Sequence, residues 1–174
     1  GYQLNNKVIG IVGLGRIGSK IANYAQAFGM SVQYYDPLEN NDKYKKCYNL
    51  EELMNSSDII TIHVHLNSKT TGLISSTLLK KVKKGALLIN TSRGKILDEE
   101  AVINALEREK IVGVAVDVLD TEFSDIKNSL IWKARNDYPI IITPHIGGAT
   151  FDAMQSCEEF IQTLVPNNEI KLKK

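Results

Sequence analysis

The sequence predicts an α/β fold, a doubly wound parallel sheet in a three-layer α/β/α arrangement. One observation and two physical rules predict it. Six short, almost wholly apolar runs alternate with amphipathic segments along the chain. Strands apolar on both faces need helices over both faces, as in parallel sheets. Right-handed crossovers then leave the doubly wound sheet as the default topology.

The elements follow in order. Lys7–Val12 (KVIGIV) is a β-branched strand that runs into a glycine cluster. Arg16–Phe28 keeps Ile17, Ile21, Tyr24, Ala25 and Phe28 at helical spacing, and Gly29 is a natural stop. Ser31–Tyr35 is the second strand, closed by Asp36-Pro37, and Leu50–Met54 a short helix. Asp58–Val64 is the third strand, Leu73–Lys80 a helix and Ala86–Asn90 the fourth strand. Asp98–Glu109 is a helix whose acidic first turn suits its dipole. Val112–Val118 and Ile140–Thr143 are the fifth and sixth strands. Thr150–Leu164 is a last helix, and Pro166 onward reads as tail, with Lys171–Lys174 frayed. Leu119–Pro139 is the one long connection, of a length that is functional or holds a short helix.

Composition narrows the function. With 174 residues, 43% hydrophobic and 24% charged, the chain fits one globular domain with a real core. The net charge of +1 argues against a general grip on nucleic acid or an anionic membrane. The Lys80–Lys84 cluster reads as a solvated turn at a helix C-terminus. No apolar run approaches the roughly 18 residues of a membrane span, and no signal segment opens the chain. Cys47 and Cys157 lie outside any metal-ligand spacing and read as reduced thiols of a cytoplasmic protein. The three histidines, His63, His65 and His145, form no zinc pattern, so no metal site is expected.

One motif names a cofactor. Gly13-Leu14-Gly15-Arg16-Ile17-Gly18 is GxGxxG, placed between the first strand and the first helix, where it has mechanical meaning. Gly13 allows the tight turn, Gly15 lets the backbone approach a pyrophosphate, and Gly18 lets helix and strand pack closely. The helix N-terminus offers free N–H groups and a positive dipole end to phosphate. Asp36 stands 18 residues beyond Gly18, at the end of the second strand. A carboxylate there accepts from the adenine-ribose hydroxyls and repels the extra phosphate of NADP, so the cofactor is NAD. This is the Rossmann pattern.

A second set of residues stands at the C-terminal ends of the later strands, where open α/β sheets bind ligands. Arg93 follows the fourth strand, Asp117 and Glu122 the fifth, and His145 the sixth. An Arg that forks onto a carboxylate, a His that moves a proton and an acid that steadies the imidazole are what reduction of a 2-keto acid needs.

These residues resemble a family. GLGRIG, the Asp-Pro after the second strand, INTSRG, AVDV with Glu122, and TPHIGGAT are similar to the NAD-binding domain of the D-isomer-specific 2-hydroxyacid dehydrogenases. That family includes D-lactate, D-glycerate and D-3-phosphoglycerate dehydrogenases. The likeness runs from about Leu4 to Leu164. Arg93 precedes Glu122 by 29 positions and His145 by 52, as the family spaces its catalytic Arg, Glu and His. The resemblance implies that Arg93 holds the substrate carboxylate and carbonyl, His145 is the acid/base, and Glu122 is its partner. It further implies cofactor contacts at Gly13, Gly15, Arg16, Ile17, Gly18, Asp36, Val64, His65, Thr70, Thr91, Ser92, Arg93, Asp117, His145, Gly147 and Gly148. Thr91, Ser92 and Asp117 belong to the nicotinamide end, and His145 to Gly148 close over it.

The sequence departs from the family in two places. His65 stands where the family commonly has Pro after His-Val, either a tolerated change or a source of pH-sensitive NAD affinity. Phe123 stands where a Pro usually follows the Glu. The resemblance also implies a separate substrate domain that these 174 residues lack. The expectation is therefore one NAD-binding domain over 1–174, excised from a longer dehydrogenase, acting on a small D-2-hydroxy or 2-keto acid such as 3-phosphoglycerate. No nucleic acid or membrane partner is expected, and the family implies a homodimer. The alternative is a non-catalytic, NAD-responsive binding module, as in corepressors of this fold.

Overall fold

A computed structural model describes residues 2–164. Seven strands form one parallel sheet: β1 (Val8–Val12), β2 (Ser31–Tyr35), β3 (Lys45–Lys46), β4 (Ile59–Ile62), β5 (Ala86–Asn90), β6 (Ile111–Val116) and β7 (Ile140–Ile142). Their order is β3-β2-β1-β4-β5-β6-β7. The chain winds outward from β1 in one direction, then returns past it and builds the other half. That reversal between β1 and β4 opens a crevice at the strands' C-terminal ends.

The helices are α1 (Arg16–Ala27), α2 (Leu50–Ser56), α3 (Ser76–Leu79), α4 (Glu99–Glu107), α5 (Leu130–Ala134) and α6 (Phe151–Leu164). On one face α2 to α5 cover Val12, Ile60, Ile62, Leu88, Val114 and Val116, all buried. On the other, α1 lays Ala22 and Ala25 over Ile9, Ile11 and Tyr34. No described helix is long and apolar enough to cross a membrane.

The six expected strands are present; Ser31–Tyr35 and Ala86–Asn90 match at both ends, and the others shift by one or two residues. The seventh, β3, was not expected. It has only two residues, both exposed lysines, and so carries no apolar periodicity; pairing with Gln33 and Tyr34 alone makes it a strand. The helix expected over Leu73–Lys80 is shorter. Ile74 bridges to Leu97, and the Ser75 side chain caps the helix at Leu78 N–H, which sets a later start. The long connection after Leu119 holds a single 3-10 turn, Ile126–Asn128, and α5. The Glu99 carboxylate ties that connection to α4, accepting from Ser129 Oγ at 2.9 Å and Leu130 N–H at 2.6 Å. The expected tail from Pro166 lies outside the described residues.

Candidate functional site

The loop from β1 to α1 uses its three glycines for three different reasons. Gly13 turns with φ +91°, and its N–H donates to Tyr35 O at 2.9 Å. A Cβ on Gly18 would stand 2.1 Å from the Gly13 carbonyl oxygen, so only glycine lets helix and loop pack. A Cβ on Gly15 would meet nothing within 4 Å. That space lies at the N-cap of α1, which has no side-chain hydrogen bond. By contrast Asn49, Ser75, Asp98 and Ser129 cap α2, α3, α4 and α5 through their side chains. The first turn of α1 therefore carries no side-chain cap on its N–H groups and positive dipole end, and the space over Gly15 is open. Arg16 and Ile17 are exposed beside it.

Asp36 ends β2 against this loop. Its Oδ2 accepts from Leu14 N–H at 2.9 Å, and its Oδ1 from Leu38 and Glu39 N–H at 2.9 and 3.1 Å. The carboxylate is thus fixed first by the protein, with its remaining lone pairs open to ribose hydroxyls. Across the cleft, β4 runs into His63, Val64 and His65. Gly13 lies tight against this segment, since a Cβ there would come 2.8 Å from the His63 carbonyl oxygen and the Val64 side chain. Val64 is half-buried and His65 exposed. The Thr70 hydroxyl donates to His65 O at 2.6 Å and closes the loop that both share.

His63 escaped the sequence reading. Burial lowers its pKa to about 4, so the ring is neutral at physiological pH. Its Nε2 lies 2.9 Å from Thr61 Oγ1. An alternation that points residue 63 to the same face as the buried Thr61 was the available signal.

The far half of the rim is built from β5, β6 and β7. Asn90 is fully buried, and its Oδ1 accepts from Ser92 N–H at 3.0 Å and Ser92 Oγ at 2.7 Å. Its Nδ2 donates to Arg93 O at 2.9 Å. This asparagine shapes Thr91, Ser92 and Arg93 into a fixed turn, a role the sequence reading missed. Thr91 and Arg93 are exposed, and Arg93 Nη1 donates to Ser92 O at 2.6 Å. A Cβ on Gly94 would stand 2.1 Å from the Leu119 carbonyl carbon. The Arg93 turn thus abuts the backbone that leads to Glu122.

The structure brings Asp117, Glu122 and His145 together. They line a pocket of about 280 Å³ with Leu119, Phe123 and Trp132. His145 Nδ1 lies 3.1 Å from Glu122 Oε2. That oxygen is buried, and the contact lacks the alignment of a hydrogen bond. His145 is itself half-exposed and adopts φ +53°, a left-handed backbone that non-glycine residues rarely take. Asp117 holds it there. Its carboxylate accepts from the Thr143 hydroxyl, from Ile146 N–H at 3.1 Å and from Gly147 N–H at 2.9 Å. Burial pushes the Asp117 pKa up, but these donors and the nearby His145 outweigh it and hold the carboxyl below its usual value. Gly147 packs on Asp117, whereas Gly148 faces open space. Among the described residues no three His, Cys, Asp or Glu side chains gather as a metal-binding group.

Known proteins share this sequence and fold. The family model "D-isomer specific 2-hydroxyacid dehydrogenase, NAD binding domain" matches residues 1–147. A D-3-phosphoglycerate dehydrogenase of Bacillus subtilis is 42% identical over 172 residues, covering 93% of this chain and 32% of that protein. A glyoxylate reductase of Thermococcus litoralis is 38% identical over 165 residues, covering 92% of this chain and 48% of that protein. The crystal structure of D-lactate dehydrogenase with NAD+ from Lactobacillus jensenii superposes with a TM-score of 0.85 at 29% identity, over 93% of this chain and 52% of that one. The chain spans a third to a half of these relatives' length. It belongs to the D-isomer-specific 2-hydroxyacid dehydrogenase family and comprises that family's NAD-binding domain.

Proposed function

We propose that residues 1–174 are the cofactor-binding half of an NAD-dependent oxidoreductase that interconverts a D-2-hydroxy acid and its 2-keto acid. The observation that carries this reading is the His145–Glu122 contact of 3.1 Å on the same sheet rim as the open phosphate seat at Gly15. When bound, NAD(H) supplies the hydride chemistry. The α1 N-terminus and the Gly13–Gly18 loop hold the pyrophosphate, with Arg16 and Ile17 beside it. Asp36 takes the adenine ribose, while Val64, His65 and Thr70 line that side. Thr91, Ser92 and Gly148 flank the nicotinamide end.

The protein's own groups manage charge and proton. Arg93 offers a planar, permanently charged fork to the acid's carboxylate and carbonyl. His145 Nε2 gives a proton to the oxygen that develops negative charge, and takes it back in the reverse direction. Glu122, a carboxylate beside Nδ1, favours the imidazolium by its charge, the role of an acid paired with a catalytic histidine. Asp117 acts through the loop it pins.

The wall that faces these groups belongs to a separate substrate domain, and the whole protein works as a cytoplasmic homodimer. A phosphorylated acid such as 3-phosphoglycerate is one candidate substrate. Likeness to the B. subtilis enzyme supports it. The test is NADH oxidation by the full-length protein with a panel of 2-keto acids, beside the Arg93→Lys variant. Turnover with at least one acid, lost in the variant, is expected. NAD binding without turnover on any acid would favour a non-catalytic NAD-responsive module.

A further inference from the structure

The segment that carries Glu122 has little to hold it from within. Between Leu119 and Ser129 it forms a turn, closed by the Ser124 N–H on Thr121 O at 2.9 Å, and the 3-10 turn Ile126–Asn128. Phe123, Ser124, Asp125, Lys127 and Asn128 are exposed, and no residue from Asp120 to Asn128 is buried. A stretch without buried anchors takes its position from its two ends.

Both ends are tied to the segment that follows Arg93. At the near end Gly94 lies against the backbone of Leu119 and Asp120. At the far end Glu99, in the first turn of α4, gathers the start of α5. Its Oε2 alone accepts from Ser129 Oγ at 3.0 Å, Leu130 N–H at 2.6 Å and Ile131 N–H at 3.4 Å. Ser129 is 1% exposed and is the joint where the 3-10 turn ends and α5 begins. Its hydroxyl also accepts from Trp132 N–H at 3.1 Å, and Trp132 lines the pocket of Glu122 and His145. Between the two ties the chain is stiff. Gly94–Ile96 is a 3-10 turn, Ile96 and Leu97 are buried, and Asp98 caps α4 by accepting from Ala101 N–H at 3.0 Å.

We propose that Glu99 is a positioning residue of the reaction. It sets the far end of the Glu122 loop against the Arg93 turn, and so fixes the proton-transfer pair relative to the group that takes the substrate's carboxylate. The inference rests on the roles given above to Arg93, Glu122 and His145. Among the described residues no cation pairs with Glu99, so its carboxylate serves these loop donors alone. It acts on the rim through Ser129 and Trp132, as a support whose loss lets the reacting groups drift apart.

The test compares Glu99→Ala, Glu99→Gln, Ser129→Ala and Asp58→Asn. Asp58 is the control: it accepts from Val8 N–H at 2.8 Å and Lys83 Nζ at 2.7 Å at the opposite end of the sheet, so its loss weakens the fold away from the rim. Trp132 is the only tryptophan of residues 1–174, and its emission there reports the loop. Glu99→Ala moves that emission to longer wavelength; Asp58→Asn and Glu99→Gln, which keeps an acceptor oxygen, leave it in place. In the full-length protein, well below its unfolding midpoint, Glu99→Ala lowers kcat about fivefold to a hundredfold, the scale of a small misplacement of reacting groups, with NAD affinity kept within about twofold. Glu99→Gln restores most of that loss. Ser129→Ala lowers kcat in the same direction and carries the test where Glu99→Ala does not fold. Unmoved emission or unchanged kcat in Glu99→Ala overturns the proposal, as does an equal loss of kcat in Asp58→Asn or an NAD affinity that falls with kcat. A parent that turns over no acid refutes the proposed reaction and Glu99's place in it, while the emission still tests the tie itself, so the two failures are told apart.

Discussion

The Asp117 carboxylate accepts the Gly147 N–H at 2.9 Å and, through its other oxygen, the Thr143 hydroxyl and the Ile146 N–H. These donors bracket His145, whose φ of +53° is affordable only in a loop held from both sides. Asp117→Asn places an amide donor against one of those donors. It is expected to cost about 1.5–3 kcal/mol of stability, the range for a hydrogen bond to a charged group. Calorimetric unfolding measures this. In the full-length enzyme kcat falls more than NAD affinity does. An Asn variant as stable and as active as the parent removes Asp117 from this role.

The glycine loop separates folding from binding. Gly18→Ala forces a Cβ to 2.1 Å from the Gly13 carbonyl and is expected to destabilise the domain by several kcal/mol. Gly15→Ala meets nothing and lowers the unfolding free energy by no more than about 1 kcal/mol, the cost of Ala at an N-cap. Its methyl group fills the phosphate seat, so NAD affinity drops about tenfold or more, which is roughly 1.4 kcal/mol. Titration calorimetry on both variants checks the split; equal NAD affinity for Gly15→Ala and parent would place the pyrophosphate elsewhere.

Gly94→Ala probes how the rim is assembled. Its Cβ would collide with the backbone of Leu119 and Asp120, which no rotamer relieves. The expected result is a loss of a few kcal/mol in chemical unfolding and, in the full-length enzyme, impaired turnover from displaced Arg93 and Glu122. Unchanged stability would show that the two loops are not in contact.

His63 sets a pH dependence. Its folded pKa of about 4 lies below the unfolded value of 6.5 because burial disfavours the imidazolium. Between those values the unfolded state binds more protons, so stability rises with pH across that window and is lost as pH falls through it. The contribution is on the order of 2 kcal/mol after allowing for the ring's partial exposure. His63→Gln should flatten the stability curve between pH 4 and 6.5 relative to the parent. Parallel curves for the two proteins would mean that the ring is not buried.

Periodicity and special residues make part of this fold and site legible in the sequence. Gly13, Gly15 and Gly18 announced their loop because glycine has few other reasons to recur at that spacing before a helix. Glu122 and His145 were legible as a pair from their spacing and resemblance, and they meet at 3.1 Å. β3 was not legible because Lys45 and Lys46 owe their strand to a neighbour rather than to themselves. Asn90, Gly94 and His63 were passed over for a related reason: each acts through a residue distant in sequence or through burial. Asp36 and Asp117 were read as ligand contacts, and the structure adds backbone donors that occupy both oxygens of each.

In the proposed reaction His145, beside Glu122, moves the proton while NAD carries the hydride. Steady-state kinetics of the full-length His145→Asn variant, with NAD affinity measured in parallel, test it most directly. In this variant kcat is expected to fall at least about a hundredfold, in line with loss of a general acid/base, while NAD affinity stays within about threefold. Turnover within tenfold of the parent, on an acid that the parent reduces, would contradict it.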